Sequence, residues 1–253
     1  MDSELLRARL NLNAVLQNLE ELVKLDAEMA ALSKSWDISI QFSVMSGPAA
    51  FVEFKHGVCK HGEGTHPSPV VRLLFTSPAH LNRMFAGKGM PIPLKGFTKL
   101  GFLQKDFAKL TQRLEHYLKP AAGTARDDVF VKTSTSLTLY TAAYAVKELA
   151  ALEPTCKAVA AHTPNGGLQI GVQPEGPYVH LLYDKGAVTV GKGSLPHPTA
   201  TMTFKDMPSA HGLLSGKLDA FQAVAEGSVM LYGMIPLIDN TSLILDRVEQ
   251  YLA

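Results

Sequence analysis

Gly62-Glu63-Gly64-Thr65-His66-Pro67-Ser68-Pro69 returns 129 positions later as Gly191-Lys192-Gly193-Ser194-Leu195-Pro196-His197-Pro198. The match runs outward without a gap, laying Gly47–Lys88 on Gly176–Lys217. Its identical pairs are Gly47/Gly176, Pro48/Pro177, Gly57/Gly186, Gly62/Gly191, Gly64/Gly193, Pro67/Pro196, Pro69/Pro198, Phe75/Phe204, Gly87/Gly216 and Lys88/Lys217. Most are Gly or Pro, whose backbone restrictions define turns. A second match sets Arg113-Leu114-Glu115-His116-Tyr117-Leu118 against Arg247-Val248-Glu249-Gln250-Tyr251-Leu252 at an offset of 134. The second copy therefore carries about five more residues between Lys217 and Arg247. A period this long means two domain-sized copies, not a solenoid. Pro120 closes the first copy, and the stretch opening Ala121-Ala122-Gly123-Thr124 has no periodicity. The expected division is a first domain at 1–120, a linker at 121–135 and a second domain at 136–253.

Composition narrows the function. The chain has 253 residues, 46% of them hydrophobic, with a net charge of +1 and two cysteines. That is enough apolar matter for a proper core. Near-neutral charge gives no general attraction to nucleic acid or to an anionic membrane. Two cysteines make no disulfide framework, so a reducing cytoplasm is the expected location. No apolar run reaches bilayer length, and Met1-Asp2-Ser3-Glu4 is not the start of a signal peptide.

Within a copy the hydrophobic period changes from helix to strand. Leu6, Leu10, Val15, Leu16, Leu19, Leu22 and Val23 follow a helical spacing, with Ser3 as a candidate cap. The second copy's helix is expected over Leu137–Leu152, ended by Pro154. Ile38, Ile40, Phe42 and Val44 then alternate with polar residues, as do Leu168, Ile170 and Val172. Val52 and Phe54 match Leu181 and Tyr183; Val71, Leu73 and Phe75 match Ala200, Met202 and Phe204. Helices follow from Pro78 and Pro208 to αL caps at Gly87 and Gly216. The second copy adds a short helix over Leu218–Glu226 and a strand over Val229–Ile235, apolar on both faces and so expected to be covered on both. Tail helices are expected at Lys105–Leu118 and Thr241–Leu252. The two copies are expected to share one strand order, with the more open cavity in the second.

The segment Thr203-Phe204-Lys205-Asp206, Leu214-Ser215-Gly216-Lys217-Leu218-Asp219-Ala220, then Gly227-Ser228-Val229-Met230-Leu231-Tyr232-Gly233 resembles the sterol-carrier-protein-type-2 lipid-binding family. The resemblance covers Leu168–Leu252, and reaches Ile38–Leu118 through the repeat. It implies an α+β fold in two tandem copies, each a curved, mostly antiparallel sheet of about five strands covered on one face by helices. It also implies an apolar tunnel for a fatty acyl chain, a sterol-like lipid or an acyl thioester, with no cofactor and no catalysis.

The candidate tunnel residues are Phe204, Leu213, Leu214, Phe221, Val229, Leu231, Met234, Ile235, Leu237, Ile238, Leu243 and Ile244. Their first-copy counterparts are Phe85, Ile92, Leu94, Phe97, Leu100, Phe102, Leu103 and Phe107, of which Phe97, Phe102 and Phe107 are candidates either to plug that site or to face the other copy. Cys59, His61 and Glu63 share a strand face, but the matched Val188, Val190 and Lys192 cannot ligate together, so a hairpin explains them better than a metal. Lys88 and Lys217 either meet a head group or favour a helix C-terminus. No nucleophile elbow, phosphate loop or dinucleotide fingerprint is present. The partner expected is a hydrophobic small molecule, without nucleic acid, with at most transient membrane contact and with homo-oligomerisation open. The alternative is an assembly module with filled cores and no ligand.

Overall fold

In the computed structural model, which describes residues 3–252, the repeated Gly-Pro stretch is a loop pinned by a strand glutamine. His66 N–H donates to Gln41 Oε1 at 2.6 Å, and in the second copy Leu195 N–H donates to Gln169 Oε1 at 2.7 Å. Gly64 and Gly193 open the loops at φ 82° and 92°, a left-handed backbone that other residues rarely adopt. Gln41 is fully buried and also donates to the carbonyls of Phe42, Ala50 and Gly64. The chain divides into two units, one ending at Thr124 and one beginning at Ala125.

The first unit opens with α1 (Ser3–Leu10) and α2 (Leu19–Leu25), joined by a wide helical turn at Asn11–Val15 and a tight one at Leu16–Asn18. Ser3, read as a cap, is already helical. Next come α3 (Ala27–Ser33), β1 (Asp37–Val44), β2 (Ala49–Lys55), β3 (Val58–Glu63), β4 (Val71–Phe75), α4 (Pro78–Phe85) and β5 (Ile92–Lys95). The tail is α5 (Leu100–Phe102), a wide turn at Leu103–Phe107 and α6 (Ala108–Leu118).

The second unit has α7 (Asp128–Leu152), α8 (Pro154–His162), β6 (Gly166–Val172), β7 (Tyr178–Asp184), β8 (Ala187–Lys192), β9 (Ala200–Phe204) and α9 (Met207–Leu214). It ends with α10 (Ala220–Ala225), β10 (Val229–Gly233), α11 (Ile235–Leu245) and α12 (Glu249–Leu252).

Both sheets have five strands in one order: β3-β2-β1-β4-β5 and, correspondingly, β8-β7-β6-β9-β10. In each, the β1–β4 or β6–β9 pair is parallel and the other pairs are antiparallel. Register refines the alignment. Ile40 faces Val71 while Leu168 faces Ala200, so β1 maps onto β6 at an offset of 128, not 129. The extra residue falls in the turn after Val172.

Several expectations shift. The helix expected from Leu137 begins at Asp128, inside the stretch read as linker, with Asp127 Oδ1 accepting from Phe130 N–H at 2.7 Å. The run Thr133-Ser134-Thr135-Ser136 hides the apolar period there. Hydroxyls on this helix bond back to its own carbonyls, Ser136 to Lys132 and Thr141 to Leu137, both at 2.8 Å. β10 is an edge strand, not one covered on both faces: Val229 is buried, but Met230 is 47% and Tyr232 78% exposed. It stops at Gly233, where an added Cβ would meet the Thr199 carbonyl oxygen at 2.3 Å. The tail helix expected from Thr241 starts at Ile235 with Pro236 in its first turn, and breaks before α12.

The tail motif is repeated because it closes each unit in the same way. An acidic break separates α2 from α3 at Asp26 and α7 from α8 at Glu153. Asp26 Oδ1 caps α3 by accepting from Met29 N–H at 3.0 Å; Glu153 Oε2 caps α8 by accepting from Cys156 N–H at 2.6 Å. The tail arginine then meets the same carboxylate: Arg113 Nε at 2.6 Å from Asp26 Oδ2, and Arg247 Nη2 at 3.4 Å from Glu153 Oε1. Tyr117 OH adds a third donor to Asp26 at 2.8 Å.

Burial alone would raise the Asp26 pKa, but Arg113, the Met29 N–H and Tyr117 outweigh it and hold the carboxyl below its ordinary 3.8. A lowered folded pKa stabilises the fold above the unfolded value, and that contribution is lost as pH falls through the folded value. Arg113→Met is therefore expected to destabilise the first unit by about 1.5–3 kcal/mol at pH 7, more than Arg247→Met does the second. The deficit should shrink below about pH 4 as Asp26 protonates. Urea unfolding followed by the fluorescence of Trp36, the chain's single tryptophan, measures the first-unit effect.

Candidate functional site

An apolar cavity of about 80 Å³ lies inside the second unit. Leu139, Ala142, Ala143 and Val146 of α7 form one wall, and Ile170, Leu181, Met202 and Phe204 of the sheet form the opposite one. Leu213 and Leu214 of α9 and Leu245 of α11 complete it, so every lining side chain is apolar.

The first unit shows why the space is there. Phe42 stacks on Phe75 at 6.5 Å and meets Phe107 at 6.5 Å, while Phe107 stands edge-on to Phe54 at 6.4 Å. All four are buried. In the second unit Ile170 replaces Phe42 at the corrected register, Phe204 repeats Phe75, and Tyr183 replaces Phe54. At the tail-helix offset Phe107 becomes Thr241. Tyr183 and Thr241 hydroxyls meet at 2.9 Å, and Thr241 donates onward to the Leu237 carbonyl at 2.7 Å, so Tyr183 is the donor of the pair. Burial pushes the Tyr183 phenol up to about 12, keeping it neutral. Two ring-filled positions thus become an isoleucine and a threonine, and the volume between helix and sheet stays unfilled. The second copy's cavity was expected from its additional short helix; the lost rings account for it instead.

Of the twelve sequence candidates, Phe204, Leu213 and Leu214 line the cavity. Val229, Leu237, Ile238 and Ile244 are buried without lining it. Leu231 and Met234 are partly exposed. Phe221, Ile235 and Leu243 are 88%, 45% and 54% exposed and so lie on the surface, not in an interior tunnel. The physical reason is that α10 buries only Ala223, and that α11 turns Leu237, Ile238, Thr241 and Ile244 inward, leaving Ile235 and Leu243 on its outer face. The sequence reading missed the α7 wall and Ile170, Leu181, Met202 and Leu245. A usable signal was present in the small pair Ala142-Ala143, and in the change from Phe42 to Ile170 once the first strand is shifted by one.

In the first unit Phe107 and Phe102 pack against other rings. Phe102 is edge-on to Trp36 at 4.8 Å, and Trp36 to Phe54 at 5.0 Å. Phe97 is 63% exposed and takes no part. Cys59 is buried on β3, and His61 Nε2 lies 2.8 Å from the Leu12 carbonyl. Among the described residues, no helix is long and apolar enough to cross a membrane.

Compared with protein-family models and with curated proteins, the sequence has no match. Comparison with solved structures does give matches. Sterol carrier proteins are among them. Sterol Carrier Protein 2 Like 2 from Aedes aegypti is 17% identical and covers 43% of this chain and 94% of its own, with a TM-score of 0.30. The sterol carrier protein domain 2 of Helicoverpa armigera is 17% identical over 51% of this chain and 95% of its own, at 0.35. A crystal structure of sterol carrier protein 2 is 21% identical over 42% and 88%, at 0.32. Each is the family that the sequence resembles and spans about one copy. The duplication and the α+β fold of each copy rest on the strand order and register above.

Transplanting the second unit's residues should open the first. Phe42→Ile with Phe107→Thr is expected to cost about 2–4 kcal/mol, the range for emptying a buried aromatic site. Calorimetry of the double variant measures the cost, and uptake of xenon in a crystal reports the new void.

Proposed function

We propose that the second unit binds one apolar chain, a fatty acyl group or similar hydrophobic ligand, between α7, α9, α11 and the sheet, and performs no chemistry on it. The observation that carries this reading is the all-apolar cavity lined by Ile170, the residue that stands where the first unit has Phe42. A void of this kind stays dry and accepts apolar guests; a cavity of about 150 Å³ lined by Leu, Ile and Phe takes benzene. At about 80 Å³ the space admits a short stretch of chain, so a longer ligand needs its cover to yield. The walls suit that demand: Met202, Leu213, Leu214 and Leu245 rotate about several bonds, and α10 is held by a single buried residue. Each methylene that enters contributes about 0.8 kcal/mol, so ten or so offset the ordering and association costs. The first unit, filled by rings, is read as a scaffold without a ligand.

Ile170→Phe restores the ring the first unit carries at this place. A ring placed in open space should cost less than the 1–3 kcal/mol typical of overpacking, while excluding the chain. Displacement of a fluorescent fatty acid and thermal melting are to be followed together. Affinity is expected to fall at least about tenfold with a midpoint change of a few degrees at most. A large loss of midpoint with affinity unchanged would remove the cavity from the binding site.

A further inference from the structure

His211 lies one helical turn beyond the cavity on both of the helices that wall it. On α9 it precedes Leu214 by three residues; across from it on α7 is Thr135, four residues before Leu139. Either interval is about 5 Å of helix. His211 Nδ1 meets Thr135 Oγ1 at 3.3 Å, and the edge of Phe130 stands 6.4 Å from the ring. The other nitrogen, Nε2, is buried and has no hydrogen-bond partner among the described residues. Buried polar atoms left this way are rare and call for an explanation.

The first unit shows that the position need not be left open. At the repeat offset His211 corresponds to Asn82 on α4, and Asn82 is saturated. Its Oδ1 accepts from Asn11 Nδ2 at 3.0 Å, and its Nδ2 donates to the Glu4 carbonyl at 2.9 Å and to Glu4 Oε2 at 2.7 Å. The ring-filled unit therefore satisfies its polar residue internally, and the unit with the cavity leaves one nitrogen over. Burial first, then the nearby charges of Arg126 and Lys217, hold the His211 imidazole below its ordinary pKa. The same two cations favour an anion held at His211.

We propose that His211 is the head-group anchor of the second unit, its Nε2–H donating to the carboxylate of a single-chain acid whose tail lies in the cavity, with Arg126 and Lys217 supplying the complementary charge. This rests on the chain-binding reading above and adds the ligand class: a chain bearing an acidic end, in preference to its neutral ester.

The full-length protein is titrated with hexadecanoic acid and with its methyl ester, which share a tail and differ only at the head. The wild type is expected to bind the acid at least about tenfold more tightly, the margin of one charge-assisted hydrogen bond. His211→Phe should bring the acid down to the level of the ester and leave the ester unchanged. If that variant fails to fold, Arg126→Gln with Lys217→Gln, both at exposed positions, carries the test: the acid should weaken about threefold or more and the ester not at all. Equal binding of acid and ester by the wild type, or an equal loss of both in the variants, overturns the anchor and leaves chain binding standing. Absence of binding by either probe overturns chain binding itself, and the anchor with it.

Discussion

Each unit is closed by one carboxylate at a break between two helical segments. Asp26 and Glu153 do two things at once: they cap the segment that follows and receive the arginine of the tail helix. Both tasks require a charged acceptor inside the fold, and a buried carboxylate is tolerable only when its lone pairs are filled. Asp26 has three donors and the shorter pair. The arginine ties the tail of each unit to that break. The residue six positions before the arginine, Phe107 or Thr241, is set against the same strand position, Phe54 or Tyr183. The difference between a filled and an unfilled core follows from that one register.

This arrangement also explains which sequence signals survive duplication. The Gly-Pro loop is held by Gln41 and Gln169 through backbone groups, so its glycines and prolines persist while its side chains drift from Thr65-His66 to Ser194-Leu195. The tail arginine persists in sequence for a related reason, being tied to the helix break. Turn geometry and a buried charge restrict the residue type; a core position asks only for apolar volume. A strand order common to both copies, the capped helices after Pro78 and Pro208 and the duplicated α+β fold were therefore legible.

The candidate site was legible in part, and its errors share a cause. Apolar character was taken as a mark of the interior along Val229–Ile235, yet at a sheet edge it is equally the mark of an exposed strand, as Met230 and Tyr232 are. Phe221 failed in the same way, on a helix too short to bury more than Ala223. The α7 wall was missed for the opposite reason, because alanine carries little signal by itself. Ala142 and Ala143 matter through what they leave unoccupied. A void is a property of pairs of facing positions, and single-residue hydrophobicity cannot express it. Comparison of the copies can, since Phe42 against Ile170 and Phe107 against Thr241 are differences at matched positions.

The energetics give the asymmetry a physical sense. At about 24 cal/mol per Å³, a void of about 80 Å³ costs its unit about 2 kcal/mol. A chain that fills the space recovers this in addition to its own transfer from water, so part of the driving force for binding is stored in the unliganded fold. The opposite holds in the first unit, where the rings of Phe42, Phe54, Phe75 and Phe107 already supply that packing and a ligand would have to displace it. The polar residues follow the same division. Asn82 has its hydrogen bonds met by Glu4 and Asn11, whereas His211 keeps one nitrogen unmatched beside the cavity. Apolar volume and an unmatched imidazole nitrogen thus lie one helical turn apart between the same two helices, which is what a site for an amphipathic guest requires.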